Sequence, residues 1–146
     1  MTLRANFEKD SPDAIKALMA MEMALRTLPI DRTLLDLVNL KSSQINGCAY
    51  CIDLHTAQAR AAGETDRRLA AVIAWRDTPF FTARERAALA WAEALTLVHQ
   101  QHISDELYEE VSAHFDAKQL IDLSVAVATI NTWNKFGIAF RKLPKI

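Results

Sequence analysis

At 146 residues with 51% hydrophobic content, the chain is long enough for a single domain over 1–146, with a core that needs no disulfide or metal staple. Its formal net charge of -1, from 17 basic and 18 acidic residues, carries no electrostatic footprint for nucleic acid or an anionic membrane, which excludes both as partners. Only 3 Gly and 4 Pro interrupt a sequence rich in Ala, Leu, Glu, Arg and Lys, so the fold class is all-α.

Positions 1–10 are mixed and charged with no apolar signal-peptide core, and no stretch approaches the roughly 20 apolar residues of a membrane span. A cytoplasmic location is expected. The first helix starts at Ser11-Pro12-Asp13, with proline in its first turn, and an apolar stripe of Ile15, Leu18, Met19, Met23 and Leu25 ends before Pro29. Asp31 caps a second helix, whose broad face of Leu34, Leu35, Leu37, Val38 and Leu40 runs until Asn46-Gly47 breaks it. A third helix over 48–62 has Gly63 placed as the left-handed residue beyond its end. A short helix over 66–74 follows, and Thr82 with Glu85 forms a capping-box pattern that opens a helix reaching His99. Its core face is Leu89, Trp91, Ala92 and Leu95. Ser104 or Asp105 starts a helix reaching His114, and Asp116 precedes the last, over 117–140. About seven helices result. The last is apolar nearly all round, which predicts a central position or a place at a subunit interface.

Both cysteines of the protein lie in Cys48-Ala49-Tyr50-Cys51-Ile52-Asp53-Leu54-His55. In a reducing compartment a close cysteine pair points to catalysis or metal binding before a structural staple. On a helical wheel with about 100° per residue, Cys48, Cys51 and His55 share a sector about 60° wide, while Tyr50 points to nearly the opposite side. The positive end of a helix and a neighbouring base lower a thiol pKa from about 8.5 toward neutrality. The four-residue step from Cys51 to His55 brings side chains to roughly 5–6 Å, so His55 is better placed to serve Cys51 than Cys48. In one reading the Cys51 thiolate attacks a peroxide, becomes a sulfenic acid and is resolved by Cys48 into a disulfide. A thioredoxin-style reading makes Cys48 the attacking thiol instead.

Other readings need more than the sequence supplies. A structural zinc site wants four ligands, of which Cys48, Cys51 and His55 are three, with His99 or His102 as candidates for the fourth. The haem-attachment motif fails because Ile52 follows Cys51. His99, His102 and His114 lie in polar stretches and are expected at the surface, and Trp91 and Trp133 are expected in packing. Gln44, Asn46 and Asn131 are candidates to hold the site's backbone, and Glu93, Glu22 and Asp122 are weaker carboxylate candidates.

The run from Ser43 to His55 closely resembles the core motif of the alkylhydroperoxidase D-like branch of the carboxymuconolactone decarboxylase superfamily. The resemblance extends to Ala61-Ala62-Gly63-Glu64, to the run from Arg84 to Thr96, and to Ile130-Asn131-Thr132-Trp133-Asn134. It implies an all-helical homo-oligomer, a trimer or hexamer, whose second cysteine reacts with a small hydroperoxide and whose first resolves it. Those positions are Cys51 and Cys48. It also implies a proton relay of glutamate, histidine and water, in which the histidine is His55 and the glutamate position holds Asp36, one methylene shorter. A histidine that some members carry between the cysteines is replaced by Tyr50. No resident cofactor or metal is implied, and electrons come from an external reductant, a thiol/disulfide protein or a small thiol. Two alternatives stand beside this peroxidase: a decarboxylase-type lyase of the same superfamily, which needs no dithiol, and a non-enzymatic oligomer whose cysteines sense oxidation.

Overall fold

Helix starts follow from side chains that satisfy the orphan amides of each first turn. In the computed structural model, which describes residues 2–144, Asp31 accepts the Leu34 amide and opens a helix over Arg32–Asn46. Thr82 with Glu85 and Asp116 with Gln119 form complete capping boxes that open helices over Ala83–Thr96 and Ala117–Ala139. Ser104 caps Asp105–Ser112, and Thr65 caps Asp66–Ala71. In chain order the described residues form α1 (Phe7–Asp10), α2 (Pro12–Leu25), α3 (Arg32–Asn46), α4 (Ala49–Ala61), α5 (Asp66–Ala71), a 3-10 helix (Val72–Asp77), α6 (Ala83–Thr96), α7 (Asp105–Ser112) and α8 (Ala117–Ala139), with no strand among them. Positions 1, 145 and 146 of the expected 1–146 domain lie outside the described residues.

Two differences from the expected seven helices have identifiable causes, one local and one from distant packing. The helix expected over 66–74 is split, because Ala74 leaves helical geometry (φ -118°, ψ 35°) and the chain from Val72 tightens to 3-10. The unpredicted α1 is only 4 residues long, too short for periodicity to register, and is held by Asn6, which accepts the Lys9 amide, and by Phe7. The Phe7 ring meets Phe136 edge-on at 5.5 Å and lies 5.8 Å from Phe140 and 6.5 Å from Trp133, all on or just beyond α8.

The core forms around α3, which packs against α4, α6 and α8. Leu34 and Val38 meet Trp91 and Ala92 of α6 and Leu120, Leu123 and Val127 of α8 in one cluster. Leu37 and Leu40 face the other way, onto Leu69, Val72, Trp75, Phe81 and Leu89. Each such fully buried leucine contributes about 1.5–3 kcal/mol of transfer free energy. A third, smaller cluster joins Cys48 and Cys51 to Ile130 of α8, flanked by Tyr50 and Trp133. The expectation of a central α8 is met along this inner face, while Ile121 and Ile138 on the same helix remain exposed.

What positions the cysteines is the turn between α3 and α4. Gly47 adopts φ +70°, a left-handed conformation that a side chain disfavours, and the Cys48 amide then donates back to the Ser43 carbonyl at 3.1 Å. The chain reverses there and α4 starts with Cys48 as its N-cap.

Candidate active site

Cys48 and Cys51 form a disulfide with their Cα atoms 5.3 Å apart, the S-S bond bridging the first turn of α4. Cys48 is the N-cap with extended backbone, and Cys51 lies inside the turn, next to the positive end of the helix. Both are nearly inaccessible, at 1% and 3% exposure, yet their surroundings differ. Cys51 lines a cavity of about 580 Å³, whereas Cys48 is packed behind it and does not reach the lining. His55 and Asp36 line the same cavity, so three of the four residues singled out from the sequence meet there.

The cavity is walled by α2, α3, α4 and α8. Met19, Leu25, Leu35, Leu54, Ile130 and Trp133 supply its apolar surface, and Arg32, Glu22 and Lys142 add charge. Lys142 ion-pairs with Glu8 at 2.6 Å and sits 4.6 Å from the centre of the Tyr50 ring, which it caps.

His55 is half-buried and turns Nδ1 toward Oε1 of Gln58 at 3.0 Å. Burial holds its pKa below the ordinary 6.5, against the opposing pull of the Gln58 hydrogen bond and the Asp36 charge, while the Arg32 charge adds to the lowering. The imidazole is therefore neutral at pH 7 and able to take a proton. Asp36, at 4% exposure, accepts from Nε of Arg32 at 2.9 Å, one helical turn earlier. Its carboxylate is thus directed to the guanidinium, and its link to His55 is the shared cavity and the charge felt across it.

The wheel drawn from Cys48 does not describe this face correctly. Cys48 has φ -82° and ψ 96°, so helical steps begin only after it. Tyr50, Leu54, Gln58, Cys51 and His55 instead span a sector of about 140° on α4, and all five line the cavity. Tyr50, expected to face away, belongs to the site. Arg32 was also missed, although its i,i+4 spacing from Asp36 was a readable signal. Gly137, which lines the cavity from α8, was also missed, its one signal being a lone glycine inside the expected last helix.

The remaining candidates divide. Asn46 donates to Oδ1 of Asn131 at 2.8 Å and of Asn134 at 2.9 Å, so it joins α3 to side chains of α8 and not to the site's backbone, whereas the buried Oε1 of Gln44 has no partner. Glu22 lines the cavity. Glu93 lies elsewhere, accepting from Trp75 and Arg76 and pairing with buried Lys41 at 3.3 Å. Asp122 pairs with Lys118 at 2.6 Å. His99 and His102 are exposed and His114 is half-buried, and the described residues contain no cluster of three or more metal-ligating side chains. Trp91 packs in the core with Nε1 donating to Ser124, while Trp133 lines the cavity.

The chain is similar to the uncharacterized protein YdfG of Bacillus subtilis (strain 168), 39% identical over 139 residues that make up 95% of either chain. A solved structure of a protein of unknown function from Agrobacterium tumefaciens, described as a candidate antioxidant defence protein AhpD, is 34% identical, covers 99% of both chains and superposes with a TM-score of 0.97. The debrominase Bmp8 shares the fold at 21% identity, with a TM-score of 0.83 over 93% of this chain and 73% of its own. Residues 12–94, which include α3, the CxxC motif and most of α6, match the carboxymuconolactone decarboxylase family model. On that match, which spans more than half of the chain, the protein belongs to the carboxymuconolactone decarboxylase family, as an AhpD-like member.

Proposed function

We propose that the protein is a thiol-dependent peroxidase that reduces a small organic hydroperoxide, with Cys51 as the reacting thiol and Cys48 as the resolving one. The observation that carries this reading is the unequal placement of the two sulfurs' residues: Cys51 lines the cavity with His55, and Cys48 lies behind it, already bonded to Cys51. In the reduced enzyme His55 takes the Cys51 proton. The thiolate attacks the distal peroxide oxygen, the O–O bond breaks, and the proton goes to the departing alkoxide, leaving an alcohol and a Cys51 sulfenic acid. Cys48 attacks that sulfur, water leaves, and the disulfide forms. Two external thiols, from a small thiol or a reductant protein, then restore the dithiol and become a disulfide themselves. Asp36 acts through the charge it places near His55, and its pairing with Arg32 holds that charge in position.

A cavity of about 580 Å³ is far larger than hydrogen peroxide needs, and its mixed apolar and charged lining suits an organic hydroperoxide. The assignment of the two thiols is tested by trapping sulfenic acid with a dimedone-type reagent after one equivalent of cumene hydroperoxide. Cys48→Ser is expected to be labelled at Cys51. Labelling confined to Cys48 in Cys51→Ser rejects the assignment and favours the thioredoxin-style order.

A further inference from the structure

Glycine in the interior of a helix lowers its stability, so a helical glycine calls for a packing reason. Gly137 lies near the end of the 23-residue α8, and a methyl carbon at that position would stand 2.8 Å from Sγ of Cys48 and 3.5 Å from Sγ of Cys51. The first distance is well inside an ordinary contact of about 3.5–4.0 Å. Gly47 and Gly63, both with positive φ, have nothing within 4 Å of the same point. Theirs is a backbone role and that of Gly137 is a steric one.

The approach of α8 to the sulfurs is not adjustable. One turn before Gly137, the fully buried Asn134 donates to Oγ of Ser43 at 3.0 Å and accepts from Asn46 at 2.9 Å. Ser43 in turn accepts the Cys48 amide through its carbonyl. These bonds tie α8 to the turn that delivers Cys48, and they bring the one glycine of α8 to the disulfide.

We propose that Gly137 is a positioning residue of the dithiol centre, its bare Cα forming the seat that Sγ of Cys48 occupies when it is bonded to Cys51. A free thiol at Cys48 escapes a new methyl group by changing its χ1 rotamer. A bonded sulfur is held by Cys51 and has no such freedom. Filling the seat therefore penalises the disulfide more than the dithiol. The inference rests on the Cys48–Cys51 redox cycle proposed above.

The test equilibrates wild type and Gly137→Ala with reduced and oxidised glutathione and counts free thiols by alkylation and mass measurement. Closure transfers two electrons and two protons to one oxidised glutathione, which leaves as two reduced ones. Gly137→Ala is expected to lower the equilibrium constant for closure at least tenfold, a shift of about 30 mV toward a more oxidising couple. Any gain in helix propensity acts on both oxidation states alike and drops out. A wild type that titrates beside a variant within twofold of it overturns the role of Gly137, and a wild type that does not cycle overturns the dithiol reading and this inference with it. If Gly137→Ala alone does not fold, Cys48→Ala/Gly137→Ala decides: without the Cys48 sulfur the methyl group is expected to be tolerated, and loss of folding there too contradicts the proposal.

Discussion

His55 is exposed to opposing influences that make its protonation a measurable property of the site. Burial lowers its pKa, the Gln58 hydrogen bond and the Asp36 carboxylate oppose that, and Arg32 reinforces it. Because the folded value lies below 6.5, the unfolded chain binds a proton on acidification that the folded chain refuses. The resulting contribution to stability is complete above the unfolded value and is lost as pH falls from there toward the folded one. Wild type should therefore lose more stability than His55→Gln between pH 7.5 and 5.5, read as urea midpoints, and equal losses would contradict the burial argument. Under the proposed mechanism the same shift keeps His55 neutral as the base, so the acid limb of the peroxide-reduction profile is expected below pH 6.5. His55→Gln should slow the step about 10²-fold, with a smaller loss for Asp36→Asn.

The turn joining α3 to α4 is the element on which the site depends, since it sets where Cys48 sits. Gly47→Ala forces a side chain into φ +70° and should destabilise the fold by about 1 kcal/mol. Asn134→Leu leaves Asn46 and Ser43 short of a buried partner and should lose about 1–3 kcal/mol in a urea titration. A loss within 0.3 kcal/mol for Asn134→Leu would show that water replaces the network at no cost. The helices were legible in the sequence wherever local chemistry set them: Asp31, Thr82 with Glu85, Ser104 and Asp116 each cap as read, and Gly63 takes φ +98° at the end of α4. The motif residues Cys51 and His55 were legible for the same reason, being one helical turn apart. What escaped depends on distant partners. Phe7 forms its short helix against aromatic rings more than 120 residues away, Tyr50 reaches the site because the cavity wraps the start of α4, and Gly137 matters only through what α8 is packed against.

Over the whole molecule, none of the described helices is long and apolar enough to cross a membrane. Ile121 (64% exposed) and Ile138 (46%) on α8 and Met23 on α2 are apolar side chains left exposed, each a candidate to be covered by a second copy of the chain. We propose a homo-oligomer, a trimer or hexamer, and expect light scattering at micromolar concentration to give a multiple of the 16.4 kDa chain mass, a result that a monomer would overturn. The peroxidase reading makes a sharper demand, because the cavity, the dithiol and the base must act together. With a dithiol reductant in excess, wild type should consume cumene hydroperoxide catalytically and Cys51→Ser should fall to the uncatalysed rate. Equal rates for the two proteins would contradict the central claim that Cys51 reduces the peroxide.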